Sequence, residues 1–319
     1  MTKVAVLGLG IMGRRMLEHM RRHPDFEPVQ LWDPSSAACA AAKALAPEAK
    51  IALSPEAAIE AADLVYLACP PVPRKALALA AAEAGKEVFL EKPLGVDLAE
   101  SRDLVHRLTS AHVPAAVNFT QAAGEAMAKV TEAAKSGAMG DLAGVDIVVT
   151  YAAWPRAWQK DADWLRFRAE GGFTREVISH FVFFAERVLG PTRVVWSRPS
   201  YPMDPTLCET HILARLENAQ GLPVTIMGSV GGAQPDRQEL TVKGTAQSHR
   251  IAEFYRHAVS DGGEFVPSGP EPGDPRAIAL RAQLDELRKL VRGEPHRLAT
   301  LHEALGVQAR IEAMLAGAG

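Results

Sequence analysis

Val4-Ala5-Val6-Leu7-Gly8-Leu9-Gly10-Ile11-Met12-Gly13 decides the fold. Val4–Leu7 is a short apolar, β-branched run that stops at glycine, which predicts a fully buried parallel strand. From Gly13 onward the apolar residues fall at helical spacing, with Met16, Leu17 and Met20 on one face and Pro24 closing the segment. Between strand and helix stands G-x-G-x-x-G. Such glycines cluster in many loops, but here Asp33 follows twenty residues past Gly13, at the end of a second apolar run, Val29–Trp32. In that context Gly8 permits the tight turn, Gly10 lets backbone N–H groups approach a pyrophosphate, and Gly13 allows close helix–strand packing. The helix N-terminus favours the anion. Asp33 would accept hydrogen bonds from the ribose hydroxyls and repel a 2′-phosphate, although an Asp-Pro pair also commonly opens a turn. Pro34, Ser35 and Ser36 supply no arginine. The expected cofactor is therefore NAD, with NADP the alternative.

Working outward, helical runs at Ala37–Ala46, Ser54–Ala62, Arg74–Ala84 and Ala99–Ser110 alternate with strand-like runs at Leu64–Ala68, Glu87–Leu90 and Ala115–Phe119. Ser54-Pro55 is an N-cap with proline at the first helical position. Strands alternating with helices at this length predict βαβ units, hence an α/β, doubly wound Rossmann domain over residues 1–119. The character then changes. A helix at Gly124–Lys135 precedes strands at Gly144–Tyr151, Arg193–Trp196, Thr210–Leu216, Val224–Val230 and Glu239–Val242, with little helix between the last four. This predicts an α+β domain over 120–319 with an open, mainly antiparallel sheet. A sheet covered on one face calls for a partner on the other, so a homo-oligomer, dimer or tetramer, is expected. A proline-rich loop is expected over 267–275, then helices over 275–292 and 298–315, the last packing back on the first domain.

The chain has 319 residues, 48% hydrophobic and 23% charged, with net charge −3. This excludes a disordered chain and a polybasic nucleic-acid binder. No apolar stretch reaches the ~18 residues of a spanning helix, and glycines with Arg14-Arg15 interrupt the N-terminal run that would otherwise resemble a leader. Cys39, Cys69 and Cys208 are sparse and unpatterned, which argues against a disulfide framework or a thiolate metal site and suits a cytoplasmic protein. A small-molecule substrate, with no nucleic acid and no membrane, is the expected partner.

Three segments carry candidate chemistry. Glu91-Lys92-Pro93 lies where a parallel strand leaves its carboxyl end, the side on which doubly wound sheets bind ligands. A lysine beside a positively charged ring exchanges its proton near neutrality, whereas most lysines at such turns are simply solvated. Gly171-Gly172-Phe173-Thr174-Arg175-Glu176-Val177-Ile178-Ser179-His180 places Glu176 and His180 four apart, on one face of a helix. They suit an acid–base pair, a metal-ligand pair or a solvated helix pair; no third ligand is placed, so no metal is expected. Trp154-Pro155-Arg156-Ala157-Trp158, with Trp164 nearby, holds three of the five tryptophans. Aromatic walls with an arginine suit a ring or a carboxylate, and equally a loop whose tryptophans merely pack.

The glycine fingerprint, Ala68-Cys69-Pro70, Gly85-Lys86-Glu87-Val88-Phe89-Leu90-Glu91-Lys92-Pro93-Leu94 and the Gly171…Glu176…His180 segment together resemble, in order and spacing, the glucose–fructose oxidoreductase / inositol dehydrogenase / MocA family. The resemblance implies a catalytic lysine at Lys92, a catalytic histidine at His180, and Glu176 at a position usually held by aspartate. It implies cofactor contacts from Gly8, Gly10, Ile11, Met12, Gly13, Asp33, Cys69, Pro70, Glu91 and Lys92. Substrate contacts are expected from Lys92, Trp154, Arg156, Trp158, Glu176 and His180, with Lys92 and His180 meeting across a cleft. The sequence departs from the family at Phe183, where an acidic residue is common, and at Asn118-Phe119-Thr120, which lacks an arginine. The implied activity is NAD(P)-dependent hydride transfer to or from a polyol, sugar derivative or hydroxy acid. The alternatives are imine reduction on the same scaffold and a non-catalytic dinucleotide sensor.

Overall fold

The computed structural model describes residues 1–269 and 273–319; part of the loop expected over 267–275 lies outside the described residues. The chain divides into two compact units, one of Met1–Phe119 with Ala277–Leu305, the other of Thr120–Arg276 with Gly306–Gly319.

In the first unit, β1 (Thr2–Leu7), α1 (Ile11–Arg21), β2 (Phe26–Trp32), α2 (Ser36–Leu45), β3 (Lys50–Ile51), α3 (Pro55–Glu60), β4 (Leu64–Leu67), α4 (Pro71–Glu83), β5 (Glu87–Glu91), α5 (Leu98–Ser110) and β6 (Ala115–Asn118) follow one another. The sheet order is β3-β2-β1-β4-β5-β6, all parallel. The chain thus builds outward from β1 in one direction and then crosses to build in the other. This is a Rossmann sheet, whose ligand crevice opens where the direction reverses, at the carboxyl ends of β1 and β4. Every residue of β4 is buried, as a strand covered on both faces requires. Three helices start as the sequence directs: the side chains of Ser35, Ser54 and Asp97 accept from the N–H groups of Ala38, Ala57 and Glu100.

The second unit contains α6 (Glu125–Lys135), β7 (Leu142–Tyr151), α7 (Ser179–Leu189), β8 (Thr192–Ser200), β9 (His211–Asn218), β10 (Pro223–Val230), β11 (Arg237–Gly244), β12 (Ser248–Ala252), β13 (Arg256–Ser260) and β14 (Val266–Pro267). The sheet order is β14-β13-β12-β11-β7-β10-β9-β8, with β7–β10 parallel and the other pairs antiparallel. β12 and β13 have no apolar run of their own. The register of β12 against β11 places His249 and Ile251 inward and β13 pairs with β12, so pairing rather than composition makes them strands.

The last two helices are α8 (Pro275–Val291) and α9 (Leu301–Ala316). The expected second domain, 120–319, is divided here: Ala277–Leu305, with the start of α9, groups with the first unit and Gly306–Gly319 with the second. It is α8 that joins the first unit: Leu280, Leu284, Leu287 and Leu290 form one stripe in the apolar cluster of Val4, Val6, Met16, Leu17 and Phe26. Most of α9 belongs to the second unit. There the Ser197 hydroxyl donates to the Met314 carbonyl at 2.9 Å and the Tyr201 hydroxyl to the Leu315 carbonyl at 2.7 Å. Both helices are amphipathic, and periodicity does not say which core an apolar stripe enters. No helix among the described residues is long and apolar enough to cross a membrane.

Candidate active site

The glycine loop joins β1 to α1 within tight clearances. Gly8 has φ +94°, and a Cβ on it would lie 2.3 Å from the Cys69 nitrogen. A Cβ on Gly13 would lie 1.9 Å from the Gly8 carbonyl oxygen. A side chain at Gly13 would push α1 off the end of β1, and one at Gly8 would force the glycine loop away from the Ala68-Cys69 backbone. Gly10 differs: a Cβ there meets nothing within 4 Å, so its bare backbone faces open space at the N-terminus of α1. No side chain caps α1, and its first turn holds no acidic residue. The leading N–H groups and the positive end of the helix dipole are left for an anion.

Asp33 ties this loop to β2. Its Oδ2 accepts from the Leu9 N–H at 2.7 Å and its Oδ1 from the Ser35 N–H at 2.8 Å. Each oxygen retains a lone pair, so the half-buried carboxylate holds the loop and still presents an acceptor to a ribose. An uncapped helix N-terminus beneath open space, with a fixed carboxylate beside it, fits a dinucleotide's pyrophosphate and ribose.

Arg74 was missed from the sequence. It is buried on α4, and its guanidinium donates to the Cys69 carbonyl at 2.5 Å and to the Pro93 carbonyl. One side chain therefore clamps the loops that leave β4 and β5, which carry Cys69-Pro70 and Glu91-Lys92. The only signal was a charged residue in an alanine-rich apolar helix. Glu91 is also buried; the Tyr66 hydroxyl donates to its Oε1 at 2.5 Å and the Asn118 amide at 2.6 Å. Burial raises the carboxyl of Glu91 above the usual range, against those two hydrogen bonds and the Lys92 charge. Gln283 on α8 extends the row, donating to the Asn118 side chain at 3.0 Å. The Glu91 carboxylate thus serves the network under the strand ends, while Lys92, next in the chain, is half-buried at their edge.

In the second unit, β7 ends at buried Tyr151, and the loop after it brings the tryptophans together. The Trp154 indole N–H donates to the Leu165 carbonyl at 3.0 Å, and its ring packs edge-on to Phe173 at 6.3 Å. The Arg156 guanidinium lies 5.0 Å from the Tyr151 ring centroid, 5.8 Å from that of Trp154 and 4.7 Å from that of Trp158. Glu176 acts electrostatically on Arg156, so the loop and the Glu176 turn are neighbours.

That turn departs from the helix expected there. Thr174–Ile178 is wound as a π-helix, with the Ser179 N–H reaching the Thr174 carbonyl, before α7 continues as an α-helix. Such wide turns recur at functional sites. Glu209 anchors its start, accepting from the Thr174 N–H at 2.8 Å, and burial holds the carboxyl of Glu209 above its usual range. His180 follows on the first turn of α7, buried, with Phe254 edge-on at 5.6 Å. Phe254, also missed from the sequence, stands in the β12–β13 turn at φ +68° and stacks on Phe181 at 5.1 Å. A bulky residue at positive φ is strained, and here ring packing on α7 compensates for it.

Residues 2–119 match the model of the Gfo/Idh/MocA group, described as an oxidoreductase family with an NAD-binding Rossmann fold. An uncharacterized oxidoreductase from Streptococcus pneumoniae serotype 4 is 32% identical over 109 residues, covering 33% of this chain and 28% of that protein. Solved structures share the whole architecture. An oxidoreductase from Agrobacterium radiobacter in complex with NAD+, L-tartaric acid and magnesium has TM-score 0.85 at 16% identity, covering 98% of this chain and 94% of that one. The WlbA dehydrogenase from Bordetella pertussis in complex with NADH and UDP-GlcNAcA has TM-score 0.81 at 21% identity, covering 98% and 95%. Biliverdin reductase from Synechocystis sp. PCC 6803 has TM-score 0.78 at 18% identity, covering 98% of each chain. At these identities the likeness is one of fold. Residues 2–119 thus match the Gfo/Idh/MocA oxidoreductase family model and have the Rossmann fold that its description names.

Proposed function

We propose that the chain is an NAD(H)-dependent dehydrogenase or reductase that interconverts C–OH and C=O on a small substrate. The observation that supports this best is the uncapped N-terminus of α1, open above Gly10 and flanked by Asp33, at the sheet edge that also carries Lys92. When bound, the nicotinamide cofactor supplies or accepts the hydride. The α1 N–H groups hold its pyrophosphate and Asp33 its ribose. Lys92 takes or returns the hydroxyl proton, since hydride transfer without proton transfer would leave an alkoxide in a site of low dielectric. In the second unit His180, edge-on to Phe254, is a further candidate proton-handling group, with Glu176 four residues before it. Turnover screened with NAD(H) and NADP(H) across polyols, sugar acids, ketones and cyclic imines tests this reading. No turnover with any of them would defeat it, and imine-only turnover would move the chemistry from C–O to C–N.

NADH is expected to bind more tightly than NADPH in a nicotinamide-fluorescence titration. An Asp33 carboxylate would repel a 2′-phosphate, and nothing in Pro34-Ser35-Ser36 would neutralise it. Asp33→Ser should narrow the preference, at some loss of affinity because the Leu9 N–H loses its acceptor. Tighter binding of NADPH by the unaltered protein would contradict the assignment.

A homodimer or tetramer joined through the second unit's sheet belongs to the same proposal. One face of that sheet buries Val145, Ile147, Val149, Ile212, Ala214, Leu216, Val224 and Ile226. On the other, Leu213 and Met227 are cross-strand partners, 49% and 41% exposed, and Val148 continues their row. An apolar row left uncovered suits a second copy. Light scattering at micromolar concentration should give at least twice the monomer mass of 34.2 kDa, and Leu213→Lys with Met227→Lys should halve it. A monomeric unaltered protein would refute the interface. Three free, buried cysteines suit a reducing, cytoplasmic setting.

A further inference from the structure

We propose that the second unit carries a carboxylate-binding subsite centred on Arg156, so that the substrate of the reaction above is a hydroxy or oxo acid. The proposal rests on the oxidoreductase reading for its chemistry, but not for its binding site.

Arg156 is a half-buried guanidinium. Its Nε donates to the Gln159 side chain at 3.0 Å, and three aromatic rings surround it. Among the described residues no carboxylate comes within ion-pair distance of it. Burial pulls its pKa below the usual value, with the nearby Arg276 acting in the same direction; Asp236 and Glu176 act against this only from a distance. Its terminal N–H groups have no protein acceptor among the described residues and remain available to a ligand, which they would meet beside apolar ring faces rather than in bulk water.

The second donor is Tyr151. Its ring is fully buried, and its hydroxyl is a buried polar atom with no hydrogen-bond partner. Buried hydroxyls normally have one. Burial pushes the phenol well above its usual pKa and Arg156 pulls it back, so the two groups sense each other directly. The phenol therefore stays a neutral O–H donor at all working pH values. Two guanidinium N–H groups suit the two oxygens of a carboxylate, the fork geometry favours a planar anion, and the neighbouring Tyr151 O–H is a further donor. Asp236 and Glu176, within electrostatic reach, disfavour a phosphate dianion. Trp158, 43% exposed, forms an outer wall, with Arg276 on its ring at 5.4 Å. The chemistry balances without touching the carboxylate. A hydroxyl-bearing carbon of the acid gives its hydride to NAD+ and the hydroxyl its proton to the protein, yielding the oxo acid, NADH and H+.

The test is calorimetric titration of the NADH-bound protein, together with steady-state kinetics. The ligands are matched sets: hydroxy and sugar acids, their amides, the corresponding polyols and their phosphate esters. An acid from this panel should bind at least about tenfold more tightly than its amide, in line with charge-assisted hydrogen bonds. Arg156→Gln should raise its Kd and KM by roughly 10²-fold with a smaller change in kcat, Arg156→Lys should recover part of this, and Tyr151→Phe should raise KM by about 3–10-fold. NADH affinity, which reports the first unit, should be unchanged in all three variants, and an unaltered urea-unfolding midpoint by tryptophan fluorescence serves as the folding control for the second. Amides or polyols that bind as well as the acids, phosphate esters that bind better, or no binding by any acid would overturn the subsite. Turnover of neutral substrates with an indifferent Arg156→Gln would overturn it while leaving the oxidoreductase reading intact. Acid binding that Arg156→Gln abolishes, without turnover, would uphold the subsite and defeat that reading instead.

Discussion

Lys92→Ala is expected to lower kcat by about 10²–10⁴-fold, the usual contribution of a positioned general acid or base, with NADH binding nearly unchanged. The separation of effects follows from the first unit's construction. On the proposed reading, cofactor affinity would come from the α1 N-terminus and from Asp33, whose own hydrogen bonds do not involve the Lys92 side chain. The position of Lys92 comes from Arg74, which clamps the loops leaving β4 and β5. Lys92→Arg should not restore activity, because a guanidinium keeps its proton at neutral pH. Arg74→Met would produce a different signature. It releases both loops at once, so kcat and cofactor affinity should fall together. Near-normal kcat in Lys92→Ala, measured at saturating cofactor, would remove the residue from the chemistry.

Arg175→Ala should destabilise the second unit by about 3 kcal/mol, the lower end for buried ion pairs because Glu312 retains 17% side-chain exposure. Arg175 meets Glu312 through two bonds, Nε to Oε1 at 2.7 Å and a terminal nitrogen to Oε2 at 2.8 Å. Its other terminal nitrogen donates to the carbonyls of Arg168 at 2.7 Å and Gly171 at 2.9 Å. One side chain thus joins α9, the loop before the π-wound turn, and the turn itself. Removing it leaves a carboxylate and two carbonyls without their donor in a largely buried place. Arg175→Ala with Glu312→Ala should be less destabilising than Arg175→Ala alone, since the stranded charge is gone, and what remains reports the two carbonyls. Urea denaturation followed by tryptophan fluorescence would measure both. A loss below about 0.5 kcal/mol in the single variant would place the pair with exposed ion pairs that contribute little. Because Arg175 precedes Glu176, activity should decline with stability, unlike the selective loss in Lys92→Ala.

Both variants concern residues the sequence displayed but whose partners it concealed. The glycine loop was legible because its requirements are local. Gly8 at φ +94° and Gly13 against the Gly8 carbonyl are demands of backbone geometry, and only glycine meets them. The parallel sheet was legible for a similar reason, since strands and helices alternate at lengths that few connections satisfy. The cap at Ser54 acts within three residues and reads directly, and those at Ser35 and Asp97, not read from the sequence, act over the same span.

What the sequence determined by itself was therefore the Rossmann domain, its cofactor loop, the second unit's mainly antiparallel sheet, and the short set of residue types able to move a proton. Tertiary structure alone decided the rest. It put α8 rather than the last helix into the first core, set Arg74 across two loops, buried Glu91 between Tyr66 and Asn118, widened Thr174–Ile178 into a π-turn, and laid Phe254 against His180. It also brought the Arg156 guanidinium to 5.0 Å from the Tyr151 ring centroid and left the Tyr151 hydroxyl buried without a hydrogen-bond partner. The physical reason is shared. Local backbone rules act over three or four residues and are written in the residues concerned. Apolar burial has no direction, so an amphipathic helix declares that it has a partner but not which one. Long-range hydrogen bonds then follow whichever packing the core selects.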